Sequence, residues 1–188
     1  MEFFRRISAI LHRSDPVIPD LASLEANGSL VFLPFNGDVR PWAFRLAGTG
    51  GSEIHIYDKE TLPETEVRQQ VARIVNLRPG CRAFVMRRRT LENYIHPDAI
   101  FEATGVRITF TDQDDVSETL ARALHARHHA DCAWDMMPAR SRKRRRDKVK
   151  RLLNSAAVER MTPERLTASD PDDEVRGWLE TVGRLASP

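Results

Sequence analysis

The chain's 188 residues suffice for one domain with a sizeable core. With 41% hydrophobic and 30% charged residues it reads as soluble and globular, which sets aside the disordered and membrane-spanning classes. The formal net charge of +2 hides a division: positive charge gathers in 140–151, while 170–174 is acidic. Cys81 and Cys132 are the only cysteines, and no secretory or membrane segment is apparent, so a reducing cytoplasm is expected. There is no internal repeat or low-complexity linker. The reading is a single unit over 1–188, with an α/β sheet core through 110 and a helical extension over 111–188.

In chain order, Phe3, Phe4, Ile7, Ile10 and Leu11 recur at helical spacing, so 2–12 is expected as an amphipathic helix, and the chain begins inside that element. Pro19-Asp20 opens a short helix that Asn27-Gly28 closes. The apolar run 30–35, bounded by Gly28 and Asn36-Gly37, suits a strand buried on both faces. A helix over 41–46 anchored by Trp42 and Phe44 should follow, and Gly48-Thr49-Gly50-Gly51 is a turn, since it lacks the lysine of a P-loop and precedes a strand.

That strand is Glu53-Ile54-His55-Ile56-Tyr57, leading to Asp58-Lys59-Glu60. A helix over 64–77, with Val67, Val71, Ile74 and Val75 inward, joins it to a strand over 81–86. Strand, helix, strand, helix, strand predicts a parallel sheet with short crossovers. A short helix over 97–102, a strand over 106–110 and a helix opened by Asp112, Asp114 and Asp115 come next. Thr162-Pro163-Glu164 starts a further helix. The last begins at 170–174 and turns Val175, Trp178, Leu179, Val182 and Leu185 inward.

Three groups of residues carry chemistry. Residues i and i+2 of an extended strand share a face, so Asp58 and Glu60 could hold one divalent cation if the extension persists through Lys59; a solvated strand exit is the other reading. In a parallel sheet ligands gather at the carboxyl ends of strands, and Glu92 lies just past the next strand end. Three carboxylates brought together are costly without a cation. His125, His128, His129 and Cys132 offer zinc donors, with His125 and His129 at i,i+4; a polar helix end needs no metal. Arg140, Arg142, Lys143, Arg144, Arg145, Arg146, Lys148, Lys150 and Arg151 read either as a surface for several phosphates or as a solvated charged helix.

Val31-Phe32-Leu33-Pro34-Phe35, His55-Ile56-Tyr57-Asp58-Lys59-Glu60, Leu91-Glu92-Asn93-Tyr94-Ile95-His96-Pro97 and Lys150-Arg151-Leu152-Leu153-Asn154 together resemble the TOPRIM domain of OLD-family ATP-dependent endonucleases. The resemblance implies a TOPRIM-like parallel sheet flanked by helices. Its implied chemistry is Mg²⁺- or Mn²⁺-dependent cleavage of DNA phosphodiesters, with Asp58, Glu60 and Glu92 on the metal and Lys150 stabilising charge on the phosphate. It implies DNA and an ATPase domain or subunit as partners, leaves a homodimer open, and involves no membrane. The family begins with a strand ending in Glu-Gly-x-x-Asp ahead of the helix that opens this chain, and that strand and its acids are missing from these residues. A non-catalytic TOPRIM-like module that binds DNA or regulates a separate ATPase is the alternative expectation.

Overall fold

The structure is a computed structural model that describes residues 1–35, 37–128 and 132–186. It is mostly helical around a small parallel sheet, an α/β arrangement with a helical C-terminal part. Helix α1, Glu2–Ser14, buries Phe3, Ile7 and Leu11 at the predicted spacing. Helix α2, Leu21–Ala26, is capped by the Asp20 carboxylate, which accepts from the Ala22 N–H at 3.0 Å.

The sheet is the pair β1, Glu53–Tyr57, and β2, Cys81–Val85, in parallel register with Glu53 opposite Cys81 and Tyr57 opposite Val85. Helix α3, Glu64–Asn76, connects them and packs Val71, Ala72 and Val75 on a small core with Tyr57, Cys81 and Ala83. The predicted inward residue Ile74 is instead partly exposed.

Two expected strands are not formed. Residues 30–35 run without strand pairing, and Val31 and Leu33 are 72% and 49% exposed rather than buried. Residues 106–110 are likewise unpaired, with Ile108 turned into the main core. An apolar run carries the propensity for a strand, but only a neighbouring backbone makes one. The helix expected over 41–46 is reduced to the 3₁₀ turn Arg40–Ala43. Its buried anchor is Ala43, while Phe44 is exposed. The turn expected at Asn36-Gly37 lies partly outside the described residues.

The main core runs through the helical part. Helices α4, Pro97–Thr104, α5, Val116–His128, and α6, Ala139–Leu152, surround Ile100, Leu120 and Val149. Past α6 the chain makes a π turn, Leu153–Ala157, and a 3₁₀ turn, Val158–Arg160, which bury Leu153, Ala157 and Val158. Helix α7, Pro163–Ser169, starts on the Thr162 hydroxyl, as the Thr-Pro-Glu signal predicts. Helix α8, Glu174–Ala186, lays Val175, Trp178 and Leu179 against α1 and the core. Among the described residues no helix is long and apolar enough to cross a membrane.

Candidate active site

Strand β1 ends at Tyr57, so the extension that would align Asp58 with Glu60 does not persist. Glu60 instead adopts a left-handed conformation, φ 56°, which costs a side-chain-bearing residue about 1–3 kcal/mol unless its surroundings hold it. They do. The Glu60 N–H donates to the Arg89 carbonyl at 3.2 Å, and the Thr65 hydroxyl donates to the Lys59 carbonyl at 2.7 Å. Arg68, on α3, donates to the Asp58 carbonyl at 2.6 Å and lies 3.7 Å from the Glu60 carboxylate. A turn, not a shared strand face, therefore brings the two acids within each other's field.

Glu92 arrives on the 3₁₀ turn Leu91–Tyr94, which a Thr90–Asn93 capping box opens. Asn93 then ties that turn to the carbonyls of Thr111 at 2.9 Å and Asp114 at 3.1 Å. The Glu92 side chain is 1% exposed, a costly place for a carboxylate. One oxygen accepts from Asn154 at 2.6 Å; the other has no hydrogen-bond partner and faces the Lys150 ammonium at 3.7 Å. Asn154 belongs to the π turn, a distortion that often marks functional positions, and it also donates to the Lys150 carbonyl at 2.9 Å.

The charges of this cluster are coupled. Burial pushes Asp58 up to about 6; Glu92 and Glu60 reinforce the rise, while Lys150 and Arg68 oppose it. For Lys150 burial opposes the charge, but Glu92, Asp58, Asp115 and Glu60 outweigh it and hold the pKa above the ordinary lysine range. Lys150 is thus an internal counter-ion of the three clustered acids and of Asp115. A cavity of about 1010 Å³ opens beside them, lined by Asp58, Glu60, Arg68, Lys150 and Met1 among others.

Among the described residues, no three Asp, Glu, His or Cys side chains converge closely enough to hold a metal ion. The donor chemistry nevertheless suits a hard cation: three carboxylates, one with a bare buried oxygen. The zinc arrangement has no such support. His125 is buried and bonds through Nε2 to the Cys132 carbonyl at 2.7 Å, with its ring against Trp134, and His129 lies outside the described residues. Asp114 and Asp115 bond instead to the N–H groups of Thr111 and Glu118, at 2.6 and 2.9 Å, ordering the approach to α5.

The structure divides the basic run on α6 into two faces. Arg142 faces Asp135 at 3.6 Å, Arg146 faces Asp115 and Glu118 at 3.5 and 3.6 Å, and Lys150 faces Glu92, so this edge is internally compensated. Lys143 pairs with Asp147 at 2.8 Å along the helix. Arg140, Arg144, Lys148 and Arg151 form an exposed stripe at i, i+4, i+8 and i+11 without an ion pair among the described residues. Arg145 is half-buried and has partners of its own.

Sequence reasoning missed Arg68 and assigned Asn154 no role. Asn154 follows Lys150 by four residues, a helical spacing that places both on one face; nothing in the sequence marks Arg68. The chain matches no known protein family, no curated protein and no solved structure.

Proposed function

We propose that residues 1–188 form a TOPRIM-like unit of the OLD-nuclease kind that cleaves DNA phosphodiesters with Mg²⁺ or Mn²⁺. The observation that carries this reading is Glu92, a fully buried acid with one unbonded oxygen, set beside Asp58, Glu60 and Lys150 past the carboxyl ends of two parallel strands. Asp58, Glu60 and Glu92 would hold the metal. When bound, it would supply an activated water and offset charge on the phosphate.

The remaining roles belong to the chain's own side chains. Asn154 orients Glu92 and leaves one of its oxygens open. Arg68 holds the Asp58 backbone against α3. Lys150 keeps a positive charge beside the acids, where it would stabilise charge developing on the phosphate oxygens. The stripe Arg140, Arg144, Lys148 and Arg151 would grip the DNA backbone and fix its position without reading bases. An ATPase domain or subunit is the partner this reading implies.

A second reading rests on one observation: Lys150 already supplies a cation to Glu92, so the cluster can persist without metal. That favours a non-catalytic module that binds DNA through α6 or regulates a separate ATPase. Plasmid nicking with Mg²⁺ or Mn²⁺ separates the two. The nuclease reading expects metal-dependent nicks that fall about 100-fold or more in Asp58→Ala, Glu60→Ala and Glu92→Gln. Unchanged activity in Asp58→Ala or Glu60→Ala removes those residues from catalysis. DNA held in chelator with no cutting in either metal supports the binding module.

A further inference from the structure

Helix α3 has a second face that nothing in the chain covers. Its inner side packs Val71, Ala72 and Val75 into the small core and sends Arg68 to the Asp58 carbonyl. On the opposite side Glu66, Gln69, Gln70 and Arg73 are all exposed. Leu77 at the C-cap and Leu62, just ahead of the helix, are 85% and 70% exposed, and Leu77 is the most exposed large apolar side chain among the described residues. On a helical wheel these six positions form one stripe about 100° wide, centred away from the core.

The charges of that stripe are left open. Glu66 and Arg73 make no side-chain hydrogen bond or ion pair among the described residues. Other exposed helices of the chain close such charges along themselves, as Glu2 does with Arg5, Glu118 with Arg122 and Lys143 with Asp147. Helix α3 cannot. Glu66 and Arg73 are separated by about 10 Å of rise, and the neighbours each could reach toward the other, at i,i+3 and i,i+4, are Gln69 and Gln70.

A second copy of α3, turned antiparallel, supplies what the stripe lacks. About a two-fold axis midway between Gln69 and Gln70, Glu66 of each protomer lies opposite Arg73 of the other. Gln69 and Gln70 meet at the centre, where each amide offers both a donor and an acceptor. Leu62 of each protomer meets Leu77 of the other, so both exposed leucines are covered at each end. A foreign helix would need acid, amide and base in the reverse order at the same spacing; the stripe read backwards has them, which is the self-complementarity of a two-fold contact.

We propose that the outer face of α3 is a homodimer interface, with two copies of the helix packed antiparallel in this register. Two helices about 20 Å long bury less than the roughly 1,200 Å² of a standard interface, so the dimer forms in the micromolar range. The interface lies on the side of α3 away from Arg68, which leaves the acid cluster of each protomer open. The assignment rests on the surface of α3 and does not depend on the nuclease reading.

Sedimentation velocity over a concentration series tests it, on the parent chain, Glu66→Arg, Arg73→Glu and Leu77→Glu. All three positions are exposed, and a melting temperature close to the parent's verifies that each variant folds. The parent is expected to pass from monomer to dimer in the micromolar range. Each charge variant sets like charges against each other twice across the axis, and Leu77→Glu removes the apolar ends, so each is expected to associate about tenfold more weakly or worse. An equal mixture of Glu66→Arg and Arg73→Glu has opposite charges at both crossings and is expected to dimerise at least as tightly as the parent. A parent that stays monomeric, or single variants that associate as it does, overturns the interface. A mixture that stays monomeric overturns the antiparallel register and the proposal with it.

Discussion

Asp58 is the acid whose environment most disfavours its charge, and this sets a stability signature as well as a chemical one. Its ordinary pKa of 3.8 rises to about 6 in the folded chain. Between those two values the folded state keeps a proton that the unfolded state has released, so stability falls as pH climbs from about 4 to about 6 and stays lower above that. The rise corresponds to about 3 kcal/mol, discounted to about 2 kcal/mol for the solvent that reaches the partly exposed side chain. Asp58→Asn deletes this deficit. At pH 8 the variant is expected to melt at higher temperature than the parent, with a gain of about 2 kcal/mol; at pH 4 the difference should vanish. Thermal scans at the two pH values check it, and an equal shift at both would remove Asp58 as the source. On the nuclease reading, added Mg²⁺ raises the melting temperature of the parent and leaves that of Asp58→Asn unmoved.

At the scale of elements, α6 separates charge paired within the fold from an exposed stripe that, on the proposed reading, meets DNA. Along the helix, Arg140, Arg144 and Lys148 repeat every four residues, about 6 Å of rise, and Arg151 continues the stripe one turn on. Removing one cation that neutralises a phosphate lowers the slope of log affinity against log salt by about one. Alanine at Arg144 or Lys148 is therefore expected to reduce that slope by about one, while Arg142→Ala leaves it unchanged because its guanidinium already faces Asp135. Fluorescence anisotropy of a labelled duplex over a salt series is the measurement. An equal drop in slope for all three variants would replace the stripe with a diffuse field. The sequence showed the density of this run but not its division, which depends on where α5 sets Asp115 and Glu118. The same limit explains other differences. Helices α1, α3 and α8 were legible from apolar spacing, since each faces a core along one side. The runs 30–35 and 106–110 were not, because strand formation depends on a neighbour that composition does not reveal. A shared strand face for Asp58 and Glu60 requires extension through Lys59, and the strand ends at Tyr57 with Glu60 left-handed, a local backbone choice that the residue types do not reveal.

Over the whole molecule, the acid cluster is assembled from distant segments, and the turn that carries Glu92 must be pinned from several sides. Tyr94 is the pin toward the C-terminal helix. It is fully buried, lies edge-on to Trp178 at 5.5 Å, carries the Arg88 guanidinium 5.1 Å above its ring, and donates its hydroxyl proton to Glu174. Glu174 sits at the start of α8 and also accepts from the Arg87 N–H at 3.1 Å. Desolvation raises its pKa, and the bonds from Tyr94 and Arg87 offset part of that rise. Tyr94→Phe keeps the ring packing and removes one donor from the carboxylate. Because the deleted bond favours the ionised form, the Glu174 pKa rises further in the variant. The folded state is then destabilised where Glu174 must be charged and much less where it is protonated. Urea denaturation of Tyr94→Phe is expected to show a loss of about 1–3 kcal/mol at pH 8 that shrinks at pH 4.5. A pH-independent loss would assign Tyr94 to packing alone. If the loss follows pH as expected, α8 is held to the Glu92 turn by a hydrogen bond from Tyr94 to the ionised Glu174 carboxylate, the form that burial disfavours and that this bond helps to sustain.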